Sequence, residues 1–122
     1  MRAVRSKDTK PEMVVRRLVH GLGYRYRLHR SDLPGSPDLT FARLRKAIFV
    51  HGCFWHQHRC ARGQRQPATN VAYWSPKLAR NVARDRLACR RLRRLGWGVL
   101  TIWECEIGRA DIRGRIARFL NA

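Results

Sequence analysis

Hydrophobic positions in the N-terminal part of the chain change from a helical repeat to the two-residue period of a strand. Thr9 and Glu12 form a capping-box pattern, in which each side chain binds a free backbone N–H group at a helix start. A helical repeat follows and then stops at a glycine pair; it comprises Val14, Leu18 and Leu22, with Gly21 and Gly23 at its end. The pattern predicts a first helix that begins at the box and ends at the glycines.

Short strands are predicted after this helix. Residues 24–28 alternate apolar residues with arginines, so that one face is apolar and the other cationic. Residues 33–37 have the proline and glycine content of a turn, and residues 38–41 then form a short strand with Asp38 at its edge. Residues 46–50 form a further apolar strand, joined to the previous one by a hairpin connection.

The C-terminal half supplies two amphipathic helices and one more strand. A helical pattern at residues 76–95 ends at Gly96, and residues 99–103 form a strand. Four apolar positions mark a final helix: Ile112, Ile116, Phe119 and Leu120. The order of elements predicts an α/β fold in which a mixed central sheet is flanked by helices on both sides. We expect residues 1–122 to form a single domain.

The charge of the chain narrows the class of partner. It has 27 Lys and Arg residues against 8 acidic residues, a formal net charge of +19. Such a protein repels itself unless a polyanion neutralises it, which favours nucleic acid over a membrane or a merely solvated basic surface. No apolar run is long enough to span a membrane, and the N-terminus lacks the apolar centre of a signal peptide. We therefore expect a soluble, cytoplasmic monomer.

Residues 51–60, HGCFWHQHRC, combine three histidines and two cysteines with two adjacent rings. Cysteine and histidine are ligands that Zn²⁺ prefers, and Cys105 follows a predicted strand from which it can supply a further arm. The spacing indicates a structural zinc site with four ligands: Cys53, His58, Cys60 and Cys105. Unconnected buried residues are the alternative. Cys89, within the second helical pattern, is interpreted as an ordinary buried thiol.

A second group of residues has the chemistry needed for phosphodiester hydrolysis. Asp38 at a strand edge can bind Mg²⁺ together with the backbone carbonyl of Val50, although its position after a proline is also typical of a turn. His51 and His56 can move protons near neutral pH. Glu12 belongs either to the capping box alone or also to this site.

Aromatic and basic residues are candidates for DNA contact. Phe54 and Trp55 are adjacent rings that can wedge between bases, with core packing as the alternative. Trp74 is equally consistent with base contact and with core burial. The second predicted helix has more cations than solubility requires, and we expect it to contact DNA through Lys77, Arg80, Asn81 and Arg84. Asn81 and Asp85 project onto its apolar side, either as partners of the His/Cys loop or as a local polar pair.

Five segments of the chain resemble the very short patch repair (Vsr) endonucleases, DNA mismatch nicking enzymes with a restriction-endonuclease-like core. These segments are MRAVRSKDTKPEM, LPGSPDLTF, IFVHGCFWHQHRC, NVARDR and GWGVLTIWEC. The resemblance implies that Asp38 and the Val50 carbonyl bind Mg²⁺, and that Glu12 lies near that network. It also implies that His56 activates water and that His51 supports the scissile phosphate or a metal-bound water.

The same resemblance assigns the remaining candidates. It implies a structural zinc site at Cys53, His58, Cys60 and Cys105, and rings that enter the duplex beside the mismatch at Phe54, Trp55 and Trp74. The implied function is Mg²⁺-dependent nicking of one strand, 5′ of the thymine, in a T·G mismatch left when 5-methylcytosine deaminates. Mismatch-repair proteins are candidate further partners. The alternatives are a related nicking endonuclease with another DNA target, and a zinc-stabilised DNA-binding module without catalysis.

Overall fold

The computed structural model describes residues 9–52, 71–108 and 111–122, with the backbone alone for residues 71–75. Helices and strands in these ranges follow the order that the sequence predicts. They are α1 (Lys10–Gly21), β1 (Arg27–Leu28), β2 (Leu39–Phe41), β3 (Lys46–His51), α2 (Val71–Arg94), β4 (Gly98–Trp103) and α3 (Ile112–Asn121). A 3₁₀ turn, Glu104–Glu106, follows β4 directly.

The described strands form one mixed sheet in the order β1-β2-β3-β4. β1 pairs antiparallel with β2, and β2 pairs antiparallel with β3 across the predicted hairpin connection. β3 and β4 are parallel, with Lys46 opposite Gly98 and His51 opposite Trp103. Parallel neighbours need a long crossover connection, and α2 lies within this one.

Helices α1 and α3 cover one face of the sheet. The buried side chains of this layer are Val15 and Val19 of α1, Ile112, Ile116 and Leu120 of α3, and Leu39, Phe41, Ile48 and Ile102 of the strands. The buried residues of α3 recur four apart, as its sequence pattern predicts. Asp111 begins α3 by accepting a hydrogen bond from the Gly114 N–H at 3.0 Å.

Helix α2 covers the other face. Its Leu92 packs against Ala47 and Phe49 of β3, so alternate residues of that strand face opposite helix layers. Cys89 lies partly buried at the border of this cluster, and burial raises the pKa of its thiol. This is the environment predicted for an ordinary buried thiol. None of the described helices is long and apolar enough to cross a membrane.

The start of α2 differs from the sequence prediction. The helix begins at Val71 rather than at residue 76, and Pro76 lies inside it. Proline is favoured in the first turn of a helix, which is why the pattern places the start there. In its actual position Pro76 removes one intrahelical hydrogen bond, and the rest of the 24-residue helix tolerates that loss.

Two N-terminal details also differ from prediction. β1 covers only Arg27–Leu28. Tyr24 and Tyr26 lie outside the strand, and their rings make edge-to-face contacts with Phe41. The inward face of α1 is one residue away from the predicted stripe: its buried residues are Glu12, Val15 and Val19, whereas Val14 is only partly buried. Glu12 shares this buried face with the two valines, so its side chain points into the interior.

Candidate active site

One edge of the sheet brings together residues from separate segments of the chain. His51 ends β3 and Trp103 ends β4, side by side. Asp38 precedes β2 at the same edge, because β2 runs antiparallel to β3. His29 follows β1 and donates its backbone N–H to the Asp38 carbonyl at 3.1 Å. The predicted position of Asp38 at a strand edge, next to the end of the neighbouring strand, is therefore confirmed.

The Asp38 carboxyl group is partly buried and is held by the neighbouring strand. The Val50 N–H donates to Asp38 Oδ2 at 2.7 Å. The pKa of this carboxyl is raised to about 7, mainly because burial disfavours the charged form; the charge and hydrogen bonding of Glu12 act in the same direction. The Val50 hydrogen bond and the charge of His29 lower it. Such a carboxyl can exchange its proton for a cation near neutral pH.

The contacts of Glu12 differ from a complete capping box, because its side chain points into the interior instead of back to the helix start. Its backbone N–H donates to Thr9 Oγ1 at 3.4 Å, so the Thr9 half of the capping box is present. Its carboxylate turns away from the cap to Arg16 and to His29, whose Nε2 lies 2.8 Å from Glu12 Oε2. Only 1% of Glu12 is exposed. Its carboxylate therefore faces the site and is shielded from water.

His29 is the residue of this site that sequence reasoning missed. Its ligand nitrogen and one carboxylate oxygen from each of Glu12 and Asp38 all lie within 4.8 Å of one another. It is a lone histidine in a basic stretch, with no motif spacing to mark it. The available signal was its position directly after a predicted strand, before the turn that leads to Asp38. The two carboxyl groups of this cluster offer oxygen ligands to a divalent cation, with His29 beside them.

His51 lies at the same edge of the sheet. It does not belong to the cluster of Glu12, His29 and Asp38 found in the described residues. It is 6% exposed, and its imidazole ring lies between two others: the ring centroids are 5.5 Å from Phe49 and 5.1 Å from Trp103. It directly follows Val50, whose N–H binds Asp38. The structure thus fixes the His51 ring beside the strand that supports Asp38.

Several predicted site residues lie outside the described residues. They are the candidate base His56, the rings Phe54 and Trp55, and the zinc ligands Cys53, His58 and Cys60. The side chain of Trp74 also lies outside them. Cys105, the remaining predicted zinc ligand, is partly buried in the 3₁₀ turn after β4.

The described part of α2 has a cationic outer surface. Lys77, Arg80 and Arg84 are exposed, while Asn81 and Asp85 are partly buried as their spacing predicts. Arg84 donates a hydrogen bond to Asn81 Oδ1, a contact local to the helix. The three predicted cationic DNA contacts are therefore accessible from solvent, and Asn81 is only partly so.

Comparison with known proteins identifies the family. The model of the DNA mismatch endonuclease Vsr family matches residues 1–62. The DNA mismatch endonuclease Vsr of Escherichia coli strain K12 is 43% identical over 107 residues, which cover 88% of this chain and 68% of that protein. The chain belongs to the Vsr family. Another relative, the type II nicking enzyme V.XorIIP of Xanthomonas oryzae pv. oryzae, is 50% identical over 121 residues, covering 99% of this chain and 87% of the relative.

A solved structure supports the fold of this Vsr-family chain. The catalytic domain of the homing endonuclease I-Bth0305I has a TM-score of 0.63 and 21% sequence identity, covering 92% of this chain and 94% of that domain. The fold is the restriction-endonuclease-like fold, here with a mixed four-stranded sheet in the described residues. Membership of the Vsr family makes the chain a DNA endonuclease, which disfavours a DNA-binding module without catalysis.

Proposed function

We propose that this endonuclease nicks one DNA strand on the 5′ side of the thymine in a T·G mismatch, with Mg²⁺ bound at Asp38. The observation that carries the proposal is the pair of carboxyl groups, Glu12 and Asp38, at the sheet edge of a Vsr-family chain. The pair supports metal-dependent hydrolysis. A mismatch as the target is supported by the name of the similar E. coli protein, DNA mismatch endonuclease Vsr, and T·G is the mismatch that the family resemblance implies.

The donor atoms suit a divalent cation. The pKa of Asp38 is raised mainly by burial and further by the neighbouring Glu12 carboxyl, and a cation bound beside both groups would offset these effects. Carboxylate and carbonyl oxygens are the protein ligands that Mg²⁺ prefers, and it keeps other positions for water and phosphate oxygens. Asp38 and the Val50 carbonyl would hold Mg²⁺, which would supply positive charge to stabilise the negative charge developing on the phosphate.

The histidines are proposed to move and hold protons around the reacting phosphate. His56 would accept the proton of the attacking water, as a general base with a pKa near neutrality can. His51 would support the phosphate, and its ring is held in place for this by Phe49 and Trp103. Glu12 would place a second, buried carboxylate beside Asp38.

DNA binding is proposed to use α2 together with the rings of the His/Cys loop. Lys77, Arg80 and Arg84 are exposed on α2 and carry the charge that phosphates attract. Asn81 would contribute a hydrogen bond on the same helix. The side chains of Phe54, Trp55 and Trp74 are proposed to enter the duplex beside the mismatch, where apolar wedges unstack bases.

A structural zinc ion is proposed to tie the ends of β3 and β4 together. His51 and Trp103 end these strands opposite each other. Cys53 and Cys105 each follow two residues later in the sequence. The register therefore supports a shared site that His58 and Cys60 would complete. Four ligands of this kind bind Zn²⁺ tetrahedrally and leave no position for substrate.

A second candidate function is nicking at another DNA target. The observation that favours it is the similarity to the type II nicking enzyme V.XorIIP. The catalytic residues would be the same in either case. The two candidates differ in the base pair that the enzyme recognises.

A panel of duplexes distinguishes the two candidates. The purified protein is incubated with Mg²⁺ and end-labelled duplexes that contain T·G, T·A or C·G at the same position, and with a branched duplex. The proposal expects one nick, 5′ of the thymine, in the T·G duplex and far slower cleavage of the others. Equal nicking of the matched duplexes, or preference for the branched one, would favour the second candidate.

A further inference from the structure

His29 has none of the roles proposed above, yet its side chain reaches the centre of the site. Its Nε2 lies 2.8 Å from Glu12 Oε2, in a contact where the side chains are 15% and 2% exposed. At this distance an Nε2–H can donate a hydrogen bond to the Glu12 carboxylate. The contact joins the segment after β1 to the first turn of α1.

The backbone at His29 has an uncommon conformation. Its φ is 49°, in the left-handed region that residues with side chains adopt rarely. Its N–H donates to the Asp38 carbonyl at 3.1 Å. His29 therefore contacts Asp38 through its main chain and Glu12 through its ring. Backbone strain of this kind persists only where the surrounding structure imposes it, and it is concentrated at functional sites.

The second partner of Glu12 cannot replace His29. A buried carboxylate is stable only when its oxygens are hydrogen bonded, and both Arg16 and His29 bind Glu12 Oε2. Arg16 lies one turn further along α1 and moves with Glu12. His29 belongs to the segment that also contacts Asp38. Of these two partners, His29 is the one that can fix the Glu12 carboxylate relative to Asp38.

We propose that His29 is a positioning residue: its Nε2–H holds Glu12 Oε2 so that the carboxylate stays beside Asp38 and the cation position. The inference rests on the proposed metal-dependent hydrolysis at Asp38. Loss of the imidazole then lowers the nicking rate and the response to Mg²⁺ while DNA binding is retained. Residues that orient a metal site from outside its ligand shell typically contribute roughly 10- to 100-fold to metal affinity or activity.

Two substitutions of His29 separate positioning from packing. His29→Gln keeps an N–H donor near the place of Nε2, and His29→Ala removes it. His20→Ala is the matched control, because His20 is exposed in the last turn of α1. Each protein is tested for its single-turnover nicking rate on a T·G duplex over a range of Mg²⁺ concentrations. The Kd for the same duplex without divalent cation and the rise in Tm caused by Mg²⁺ are also measured.

The expected result is a pattern across these measurements. His29→Ala nicks roughly 10- to 100-fold more slowly, needs more Mg²⁺ for half-maximal rate and shows a smaller Mg²⁺-induced rise in Tm, with an unchanged Kd for DNA. His29→Gln recovers most of the rate, and His20→Ala behaves as the wild type. A wild-type rate and Mg²⁺ requirement in His29→Ala overturns the inference. Equal losses in both His29 variants, with lower Tm and weaker DNA binding, indicate packing and also overturn it.

Failure of the proposed function gives a different result. The wild-type protein would then nick none of the duplexes, whatever the His29 variants do. The inference is decided in that case by the Mg²⁺-induced rise in Tm. A smaller rise in His29→Ala than in His29→Gln and His20→Ala supports positioning, and equal rises in all of them contradict it.

Discussion

At the scale of single residues, Asp38 is subject to opposing influences on its proton. Burial and the Glu12 carboxyl favour the neutral acid, whereas the Val50 N–H and the charge of His29 favour the carboxylate. The result is a pKa of about 7, compared with an ordinary aspartate value of about 4 in the unfolded chain. Without a cation, the folded protein therefore holds a proton that the unfolded chain has already released between these two pH values.

Asp38 is expected to make the protein without added Mg²⁺ less stable as pH rises from about 4 to about 7. The folded state binds more protons in this window, so raising the pH favours the unfolded state. The difference of about three pKa units sets an upper limit of about 4 kcal/mol on this contribution. Urea titrations of the wild type and of Asp38→Asn at several pH values measure it as the difference between the two free energies of unfolding.

A matched control for this prediction is Asp32→Asn. Asp32 is exposed and pairs with Arg30, at 2.5 Å, and this pairing lowers the pKa of its carboxyl. The free energy of unfolding of the wild type minus that of Asp38→Asn should fall as pH rises from about 4 to about 7 and become constant above pH 7. A difference that does not vary with pH would contradict the account of Asp38.

The sequence showed part of this site and missed the rest for a physical reason. Asp38 follows a predicted turn at the start of a strand, and Glu12 belongs to a predicted helix start. Both positions can be found from short-range sequence patterns. His29 joins the site through contacts with residues far from it in sequence, made possible by the pairing of β1 with β2. Strand order is set by tertiary packing, so neither the pairing nor the contact could be read from the chain.

At the scale of elements, the turn before Asp38 is fitted closely against α2. Gly35 has a φ of 75°, and a Cβ at this position would lie 2.6 Å from Ala88 Cβ and 3.2 Å from the Phe49 ring. Arg30, in the same connection, lies over the Trp97 ring at 6.0 Å from its centroid. The sequence predicted the turn from its composition, but its contact with α2 depends on the packing of the second helix layer. Asp38 is thereby held at a fixed position relative to the basic helix.

Gly35→Ala is expected to destabilise the protein by about 2 to 4 kcal/mol, because the new methyl group meets Ala88 and the backbone strain adds to this clash. The free energy of unfolding from urea titration measures the effect. Gly23→Ala separates the two causes: Gly23 also has a positive φ, of 86°, but a Cβ there meets nothing within 4 Å. Equal destabilisation by the two substitutions would show that the contact with α2 is unimportant.

Cys105→Ser is expected to lower zinc content and Tm together, because the proposed ion links the segments that follow β3 and β4. Zinc per chain is measured by atomic emission after dialysis, and Tm by calorimetry. Cys89→Ser is the matched control, since Cys89 is a partly buried thiol on α2 that packs against the Ala47, Phe49 and Leu92 cluster. About one zinc per chain in Cys105→Ser, equal to the wild type, would exclude Cys105 as a ligand.

At the scale of the whole molecule, one long helix, α2, carries 8 of the 27 Lys and Arg residues of the chain. α2 has 24 residues and is about 36 Å long, close to one turn of B-form DNA. Arg80, Arg84, Arg91 and Arg94 are among the exposed cations along its described length. The sequence predicted this basic helix and its outward face, since both follow from a single periodic pattern. It placed the start too late because a proline resembles a helix start.

Arg80→Ala is expected to weaken DNA binding in a salt-dependent way. Each phosphate contact contributes about 0.9 to the slope of log K against log salt, so losing Arg80 should reduce that slope by about 1. Fluorescence anisotropy with a labelled duplex over a range of NaCl concentrations measures it. Arg113→Ala, an exposed arginine on α3, has the same change in net charge and should leave the slope unchanged. Equal changes in both variants would mean that net charge, and not α2, binds the DNA.

In the proposed function, Asp38 binds the cation with which this Vsr-family endonuclease nicks DNA. The most direct test of this role is the single-turnover nicking rate on a T·G duplex with Mg²⁺, compared between the wild type, Asp38→Asn and Asp32→Asn, with circular dichroism to verify folding. Asp38→Asn is expected to fold, to bind the duplex and to nick roughly a hundred- to a thousandfold more slowly, as when a group that stabilises the transition state is removed. Asp32→Asn should nick at the wild-type rate. Full nicking by Asp38→Asn would contradict the account.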